Sequence, residues 1–314
     1  MGIHGKIGAL ALCVAVCCCP AVRAQTRTYR YEHDYVLGTS LDLVVVADSP
    51  ESADRAQRAA LDEVERLRQI LSTYDPASEI SRLNRAAQPM RCSDDLLAVL
   101  DQCRAWQKRS GGAFNPHIAP LLALWKHAEK AGRLPSDQGL ATAVQQIAAA
   151  QPQPNLGSAV RQTTVPVNVD ALAKGYIIGK ALESTRIPGV KGALLDIGGD
   201  IAAWGTSSPT ENAPWQVGVA DPHRYAENLP SLATIALDDA AVATSGSYER
   251  YYTIDAKRYS HILDARTGRP AQGVASATVV ASSPADADAL ATILCILPPD
   301  DGLKLLQDFQ KTDP

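Results

Sequence analysis

Apolar positions along the 314-residue chain recur at two different periods, and the change falls near its middle. In the first half, spacings of three and four dominate. Leu61, Val64, Leu67, Ile70 and Leu71 follow the capping residue Ser52 and predict a long helix ending near Leu71. Ser93 begins a second helix, with Leu97, Leu100, Cys103 and Trp106 on one side, and Gly111-Gly112 stops it. Pro120 opens a third helix through Lys130, and Ser136 a fourth to about Ala150. Ahead of them, Tyr29 to Val46 predicts one or two strands, ending in the β-rich run Leu41, Val44, Val45 and Val46.

From Gln151 the pattern turns to short alternating runs. Val165 to Val169 predicts a strand, with Pro166 suited to an edge, and Leu172 to Glu183 a helix. Ala193 to Ile197 and Ile201 to Ala203 predict strands around a Gly-Gly turn. Trp215 to Val219, Leu232 to Ala236 and Ala241 to Ala243 continue the series. A hairpin follows over Tyr251 to Ile262, then a strand over Ala275 to Val280, and Pro284 starts a strong helix to Leu297. No fixed-period repeat and no Pro- or Ser-rich linker divides the chain. This order predicts an α+β fold, a mostly antiparallel sheet core flanked by helices in a single domain.

Composition narrows the function classes. Apolar residues make up 46%, enough for a full core, and the formal net charge of -4 with no basic block argues against coating nucleic acid. Residues 1–24 have the form of a signal peptide: Lys6, an apolar stretch from Ile7 to Cys19, and Val22-Arg23-Ala24 as a cleavage site. That stretch is too short to span a bilayer. Cysteines 17 to 19 sit where a lipid anchor would be attached, but Ala15-Val16 lack the small residue expected before a lipidated cysteine. A cleaved, exported chain of residues 25–314 is the expectation. Of seven cysteines it keeps Cys92, Cys103 and Cys295. With no CxxC pair, these are neither a disulfide scaffold nor a zinc site. A Cys92–Cys103 bridge and three buried thiols both fit.

Candidate chemistry gathers in a few segments. Ala243 to Pro270 packs hydroxyls, His261, carboxylates and four arginines between apolar runs, a mix suited to a phosphorylated ligand. His261 there fits a structural role as well as that of an acid or base. Asp288 and Thr292, at i and i+4, share one face of the last strong helix, and two hard oxygens suit Mg²⁺. Asp286 or Asp288 would equally suit a first-turn acid. Asn168 to Lys174 hands a strand over to a helix bearing a lysine in its first turn, which favours phosphate. The turn Asp196-Ile197-Gly198-Gly199-Asp200 is either a tight turn or a backbone approach to a ligand. No dinucleotide fingerprint, Walker motif or nucleophile elbow occurs.

Together these segments resemble the ApbE-like family, the FAD:protein FMN transferases. The matching pieces run in family order from Leu37-Gly38-Thr39 through Ser72–Asn84, Gly112–Pro116, Ala173–Tyr176, Asp196–Asp200, Pro214–Gly218 and Ala243–Pro270 to Ala287–Thr292. The resemblance implies a T-fold-like domain and a periplasmic, Mg²⁺-dependent enzyme. Such an enzyme splits FAD, releases AMP and joins FMN through a phosphoester to a Thr or Ser of a partner, typically a flavin-carrying subunit of a membrane redox complex. Some relatives mainly hydrolyse FAD, so an FAD pyrophosphatase is the alternative, with a non-catalytic flavin-binding protein as a further one.

By the same resemblance, Tyr74 is a flavin or adenine contact, and Ala113, Phe114 and Asn115 form an FAD-contacting loop. Asn168 stands at a usual FAD-contacting Asp, Lys174 at an FAD contact, and Leu37 at a position, often Met, that packs on the cofactor. The backbone carbonyl of Ala171 and the side chains of Asp288 and Thr292 are the implied metal ligands. His261 is the implied histidine near the pyrophosphate, and with Asp288 carries the catalysis. Three departures stand out. Asp170-Ala171 replaces a common Gly-Gly, adding a carboxylate that could compensate for Asn168. Asn115 replaces a common Asp. The chain stops at Pro314, soon after a helix over Gly302 to Phe309, where relatives usually add a terminal strand or hairpin.

Overall fold

The computed structural model describes residues 26–150, 159–160, 165–223, 230–247 and 250–312, so the expected leader lies outside the described residues. Strands β1 (Arg27–Val36) and β2 (Thr39–Ala47) pair antiparallel through a tight link in which Leu37 and Gly38 both take positive φ, 51° and 80°. Then come α1 (Pro50–Leu71), a short α2 (Glu79–Arg85), the two-residue β3 (Met90–Arg91), α3 (Asp94–Arg109), α4 (Ala119–Ala131), α5 (Asp137–Ala149) and β4 (Ala159–Val160), which pairs with β3. Helix α6 (Asp170–Ser184) leads to β5 (Val190–Ile197), β6 (Asp200–Gly205), β7 (Trp215–Val219), β8 (Ala233–Leu237) and β9 (Ala240–Gly246). The hairpin β10 (Tyr251–Ile254) and β11 (Lys257–Ser260), strand β12 (Ser276–Ala281), α7 (Pro284–Ile296) and α8 (Pro299–Thr312) complete the described chain.

Six strands form the central sheet in the order β1-β2-β5-β6-β9-β12, and every neighbouring pair is antiparallel. The fold is therefore α+β with a mainly antiparallel sheet, as the sequence predicts. Strand β2 shows how it is built. Leu41, Leu43, Val45 and Ala47 enter the main core with α1, α6 and α7, while Val44 and Val46 meet Trp215, Val217 and Leu237 of the β7–β8 hairpin on the opposite face. A strand covered on both faces needs a continuous apolar run rather than an alternating one, hence the three consecutive valines. A smaller core joins α4, α5 and the β10–β11 hairpin around Trp125, whose indole donates to the Gly268 carbonyl at 2.8 Å.

Several elements differ from the sequence expectation. The long helix is capped by Ser49 rather than Ser52, with Pro50 in the first turn. Ser93 and Ser136 do cap α3 and α5, each side chain accepting a backbone N–H. Helix α2, capped by Ser78, is too short for its periodicity to stand out. Val165 to Val169 is not a strand. The Asn84 side chain takes the place of a neighbouring strand there: its Nδ2 donates to the Val167 carbonyl and its Oδ1 accepts the Val167 N–H, both at 2.8 Å. The Asn168 N–H donates to the Pro116 carbonyl at 2.7 Å. Cys92, Cys103 and Cys295 are free, buried thiols, so the bridge alternative is not adopted. Burial pushes them up to about 11 for Cys92, about 12 for Cys103 and about 11 for Cys295. Among the described residues no helix is long and apolar enough to cross a membrane.

Candidate active site

The crossing of α6 and α7 under the sheet brings the candidate residues together. Pro284 at the start of α7 sits so close to α6 that a Cβ on Gly175 would collide with its carbonyl. Only glycine allows this approach. It lets the Gly175 N–H, the ordinary helical partner of the Ala171 carbonyl, donate at 3.0 Å to Oδ2 of the buried Asp288. One turn on, the Thr292 hydroxyl meets that of Ser245 at the end of β9, 3.2 Å away. Helical spacing thus puts Asp288 and Thr292 on one face of α7, as predicted, with Asp288 facing Gly175 of α6 and Thr292 facing Ser245 of β9. Asp286 has another role, accepting from the Trp106 indole at 2.9 Å in the first turn of α7.

Lys174 extends to Asp200 at the start of β6, with Nζ to Oδ2 at 2.8 Å. Oδ1 of Asp200 accepts the Thr244 N–H at 3.3 Å. Charge is crowded here. Burial and then the neighbouring Asp200 carboxylate push Asp288 up to about 7, against the opposing pull of Lys174. Burial also raises Asp200, although Lys174 opposes it. Burial alone would lower the Lys174 ammonium, but the Asp200 and Asp288 carboxylates outweigh it and hold its pKa above the usual value. Two buried carboxylates and one ammonium leave a site short of positive charge, and a cation or a cationic ligand set would relieve it.

The surrounding loops carry the other candidates. Tyr74 stands 84% exposed between α1 and α2. Asn168 donates from Nδ2 to Asp170 Oδ2 at 3.0 Å. In the turn after α3, Ala113 and Phe114 bury their side chains, so what they can offer a ligand is backbone, and Asn115 Oδ1 is engaged by the His117 N–H at 2.9 Å. Leu37 is half-buried in the β1–β2 link and packs against the main core. His261, just after β11, pairs through Nδ1 with the Arg250 carbonyl at 2.8 Å. A carbonyl only accepts, so Nδ1 carries the proton of this bond, and Nε2 is the ring nitrogen that can accept one.

The arginines of the Ala243 to Pro270 segment are mostly spoken for. Arg258 lies over the Tyr251 ring at 4.3 Å, Arg266 pairs with Asp264 at 2.8 Å and Arg269 with Asp137 at 3.1 Å. The segment's Leu263 and Ala265 belong to the smaller core. Part of this segment is therefore scaffold, while the charge of Arg250 is felt at Tyr74 and Lys174. Sequence reasoning missed Asp200 as the partner of Lys174 and Ser245 as the partner of Thr292. The signal for Asp200 was the paired acids around the Gly198-Gly199 turn; nothing local marked Ser245.

No group of three or more His, Cys, Asp or Glu among the described residues is arranged to hold a metal. What lies here is a donor set of another kind: the Asp288 carboxylate, the Thr292 hydroxyl and the Ala171 carbonyl, whose helical N–H partner is shared with Asp288. One carboxylate with neutral hard oxygens fits Mg²⁺, which keeps much of its water and binds few protein ligands.

The chain is similar to known proteins over nearly all of its length. The model of the ApbE family matches residues 37–313. The FAD:protein FMN transferase of Treponema pallidum is 31% identical, over 99% of this chain and 90% of that protein. That of Haemophilus influenzae is 30% identical over 76% of this chain and 71% of its own length. Among solved structures, the ApbE protein of Thermotoga maritima superposes with a TM-score of 0.78 at 28% identity, covering 91% of this chain and 92% of the other. The flavin transferase ApbE from Vibrio cholerae gives 0.73 at 24% identity, covering 91% and 92%, a likeness of fold.

Proposed function

Because the chain belongs to the ApbE family, we propose that it is an FAD:protein FMN transferase that depends on Mg²⁺ and acts on a partner protein outside the cytoplasm. FAD is its substrate. The hydroxyl oxygen of an acceptor Thr or Ser attacks the phosphorus on the FMN side. A phosphoester bond forms, the pyrophosphate P–O bond breaks, and AMP leaves. The observation that carries this reading is the meeting of α6 and α7 at Gly175 and Asp288, which gathers the Ala171 carbonyl, Asp288, Thr292 and Lys174 in one place.

The assigned roles follow from the groups themselves. Asp288, Thr292 and the Ala171 carbonyl would hold Mg²⁺, and that ion, when bound, neutralises charge on phosphate oxygens. Lys174 brings a fixed positive charge beside them, oriented by Asp200. His261 takes the proton of the incoming hydroxyl at Nε2, supported by the carbonyl that holds its Nδ1 proton. Tyr74, Leu37, Asn168 and the Ala113–Asn115 backbone contact FAD. Residues 1–24 direct export to the periplasm, where the acceptor is a flavin-carrying subunit of a membrane redox complex.

Incubating the mature protein with FAD and Mg²⁺, with and without an acceptor bearing a Thr flavinylation site, tests this. AMP released only with acceptor, together with FMN on that Thr, is the expected result. AMP released equally without acceptor would make the protein an FAD pyrophosphatase, and unchanged FAD would make it a flavin-binding protein.

A further inference from the structure

Asp170, which the roles above leave unused, opens α6 with both carboxylate oxygens engaged. Oδ1 accepts from the Thr73 hydroxyl at 2.8 Å, and Oδ2 from Asn168 Nδ2 at 3.0 Å. Its own N–H donates to Asn168 Oδ1 at 3.0 Å. Thr73 lies 97 residues earlier, beside Tyr74 in the loop between α1 and α2. The other bonds of that loop run within it or to the flanking helices: Arg68 of α1 donates to Asp75 Oδ2 at 2.9 Å, and Arg82 and Arg85 of α2 donate to the Ala77 and Pro76 carbonyls, both at 2.6 Å. The N–H groups of Tyr74 and Asp75 donate to Ser72 Oγ at 3.3 and 3.2 Å, and that of Ala77 to Asp75 Oδ1 at 2.8 Å. These bonds fix the shape of the loop and its seat on α1 and α2, but none reaches α6. Asp170 supplies the tie to α6. Its influence also reaches the Tyr74 phenol, whose pKa is raised chiefly by the Asp170 charge, with Arg250 opposing.

We propose that Asp170 is a positioning residue: it pins the Thr73–Tyr74 loop to the start of α6, so that the exposed Tyr74 ring stands ready to stack on a planar ring of the flavin nucleotide. An exposed aromatic at a mobile loop tip loses conformational freedom when it stacks, and a tether beside it formed beforehand removes part of that loss. The effect falls on binding of the nucleotide and leaves the phosphoryl-transfer step alone. Asp170 thus does more than replace a charge absent at Asn168. This inference rests on the flavin-transferase reading.

The test is equilibrium binding of FAD, FMN and AMP in EDTA, followed by flavin fluorescence or calorimetry, for wild type, Asp170→Ala, Thr73→Val, Tyr74→Ala and the Asp170→Ala/Tyr74→Ala double variant. Losing hydrogen bonds to a charged group predicts FAD binding about tenfold weaker in Asp170→Ala, with KM for FAD rising in step and kcat at saturating FAD within about twofold of wild type. Asp170→Ala should then cost nothing further in the Tyr74→Ala background, because the tether acts through that ring. Thr73→Val, which keeps the carboxylate, should lose binding in the same direction. It carries the test if Asp170→Ala does not fold. A matching loss for FMN places the isoalloxazine under Tyr74, and a matching loss for AMP places the adenine there. Unchanged FAD binding in Asp170→Ala and Thr73→Val, or losses for Asp170 and Tyr74 that simply multiply, would overturn the proposal while leaving the transferase reading intact. Wild-type protein that binds no FAD would overturn both.

Discussion

The Gly175 N–H and the Asp288 carboxylate meet across two helices, 113 residues apart in sequence and 3.0 Å apart in space. That bond exists because glycine lets α7 approach the backbone of α6. Gly175→Ala would force the helices apart. Overpacking of this kind costs about 1–3 kcal/mol. The expected result is a lower melting temperature together with weaker Mg²⁺-dependent AMP release, because Asp288 moves with α7. A variant with wild-type melting and wild-type release would separate the crossing from the site.

Asp288→Asn keeps the shape of the side chain and an acceptor for Gly175 but removes the charge. If Asp288 holds Mg²⁺, transfer should fall on the order of a hundredfold or more. Wild-type protein should also melt higher as Mg²⁺ is added, since a ligand bound only by the folded state stabilises it, and Asp288→Asn should lose that dependence. Full activity with Mg²⁺, or an unchanged melting shift, would remove Asp288 from the metal site.

His261→Ala should leave FAD affinity near wild type and lower kcat, by about 10²–10⁴ for the loss of a general base. The ring binds a backbone carbonyl through Nδ1, so His261→Gln, which lacks a titrating nitrogen, should not restore the rate. A loss of FAD binding that accounts for the whole fall in kcat/KM would make His261 a ligand contact instead.

Acid stability tests a structural feature away from the site. Burial alone would raise the Asp95 carboxyl, but hydrogen bonds from Arg66 and from the Tyr176 hydroxyl, each 2.8 Å, outweigh it and hold the carboxyl below its usual value. A depressed carboxylate stabilises the fold fully above its unfolded pKa, near 3.9, and that contribution is lost as pH falls through the folded value. Asp95→Asn should therefore be less stable than wild type at pH 7, by about 1 kcal/mol once the solvent exposure of Arg66 is allowed for. The gap should close as pH drops below 4. A gap in denaturation midpoint that stays constant from pH 7 to pH 3 would contradict this.

Features of this chain that rest on local chemistry were legible in its sequence. Ser93 and Ser136 announce helices because a hydroxyl caps whatever helix follows it. Asp288 and Thr292 share a face because helical geometry puts them there. The strands of the central sheet followed from apolar runs, but their order did not, because β2 pairs with β5 across the whole helical half of the chain and β6 with β9 across the β7–β8 hairpin. What escaped depends on distant partners. Val165 to Val169 has the composition of a strand, but the amide of Asn84 satisfies Val167 in place of a neighbouring strand. The arginines between Arg250 and Arg269 looked available to a ligand because Tyr251, Asp264 and Asp137 could not be recognised as their partners from spacing. The pairing of Lys174 with Asp200 was hidden as well, because Asp200 lies beyond the rest of α6 and all of β5.

The three buried thiols have a practical consequence. Cys92 lies against the first-half helices, Cys103 inside α3, and Cys295 on α7 with its Sγ donating to the Ser245 carbonyl at 3.2 Å. Protonated and enclosed at neutral pH, they should be nearly inert to alkylation while the fold is closed. Each then becomes a clock: the rate at which a reagent marks it counts how often its own region opens. Mass spectrometry of the three labelled peptides would resolve whether α7, which carries the implied metal ligands, comes loose before the rest, and whether adding Mg²⁺ and FAD slows that opening alone.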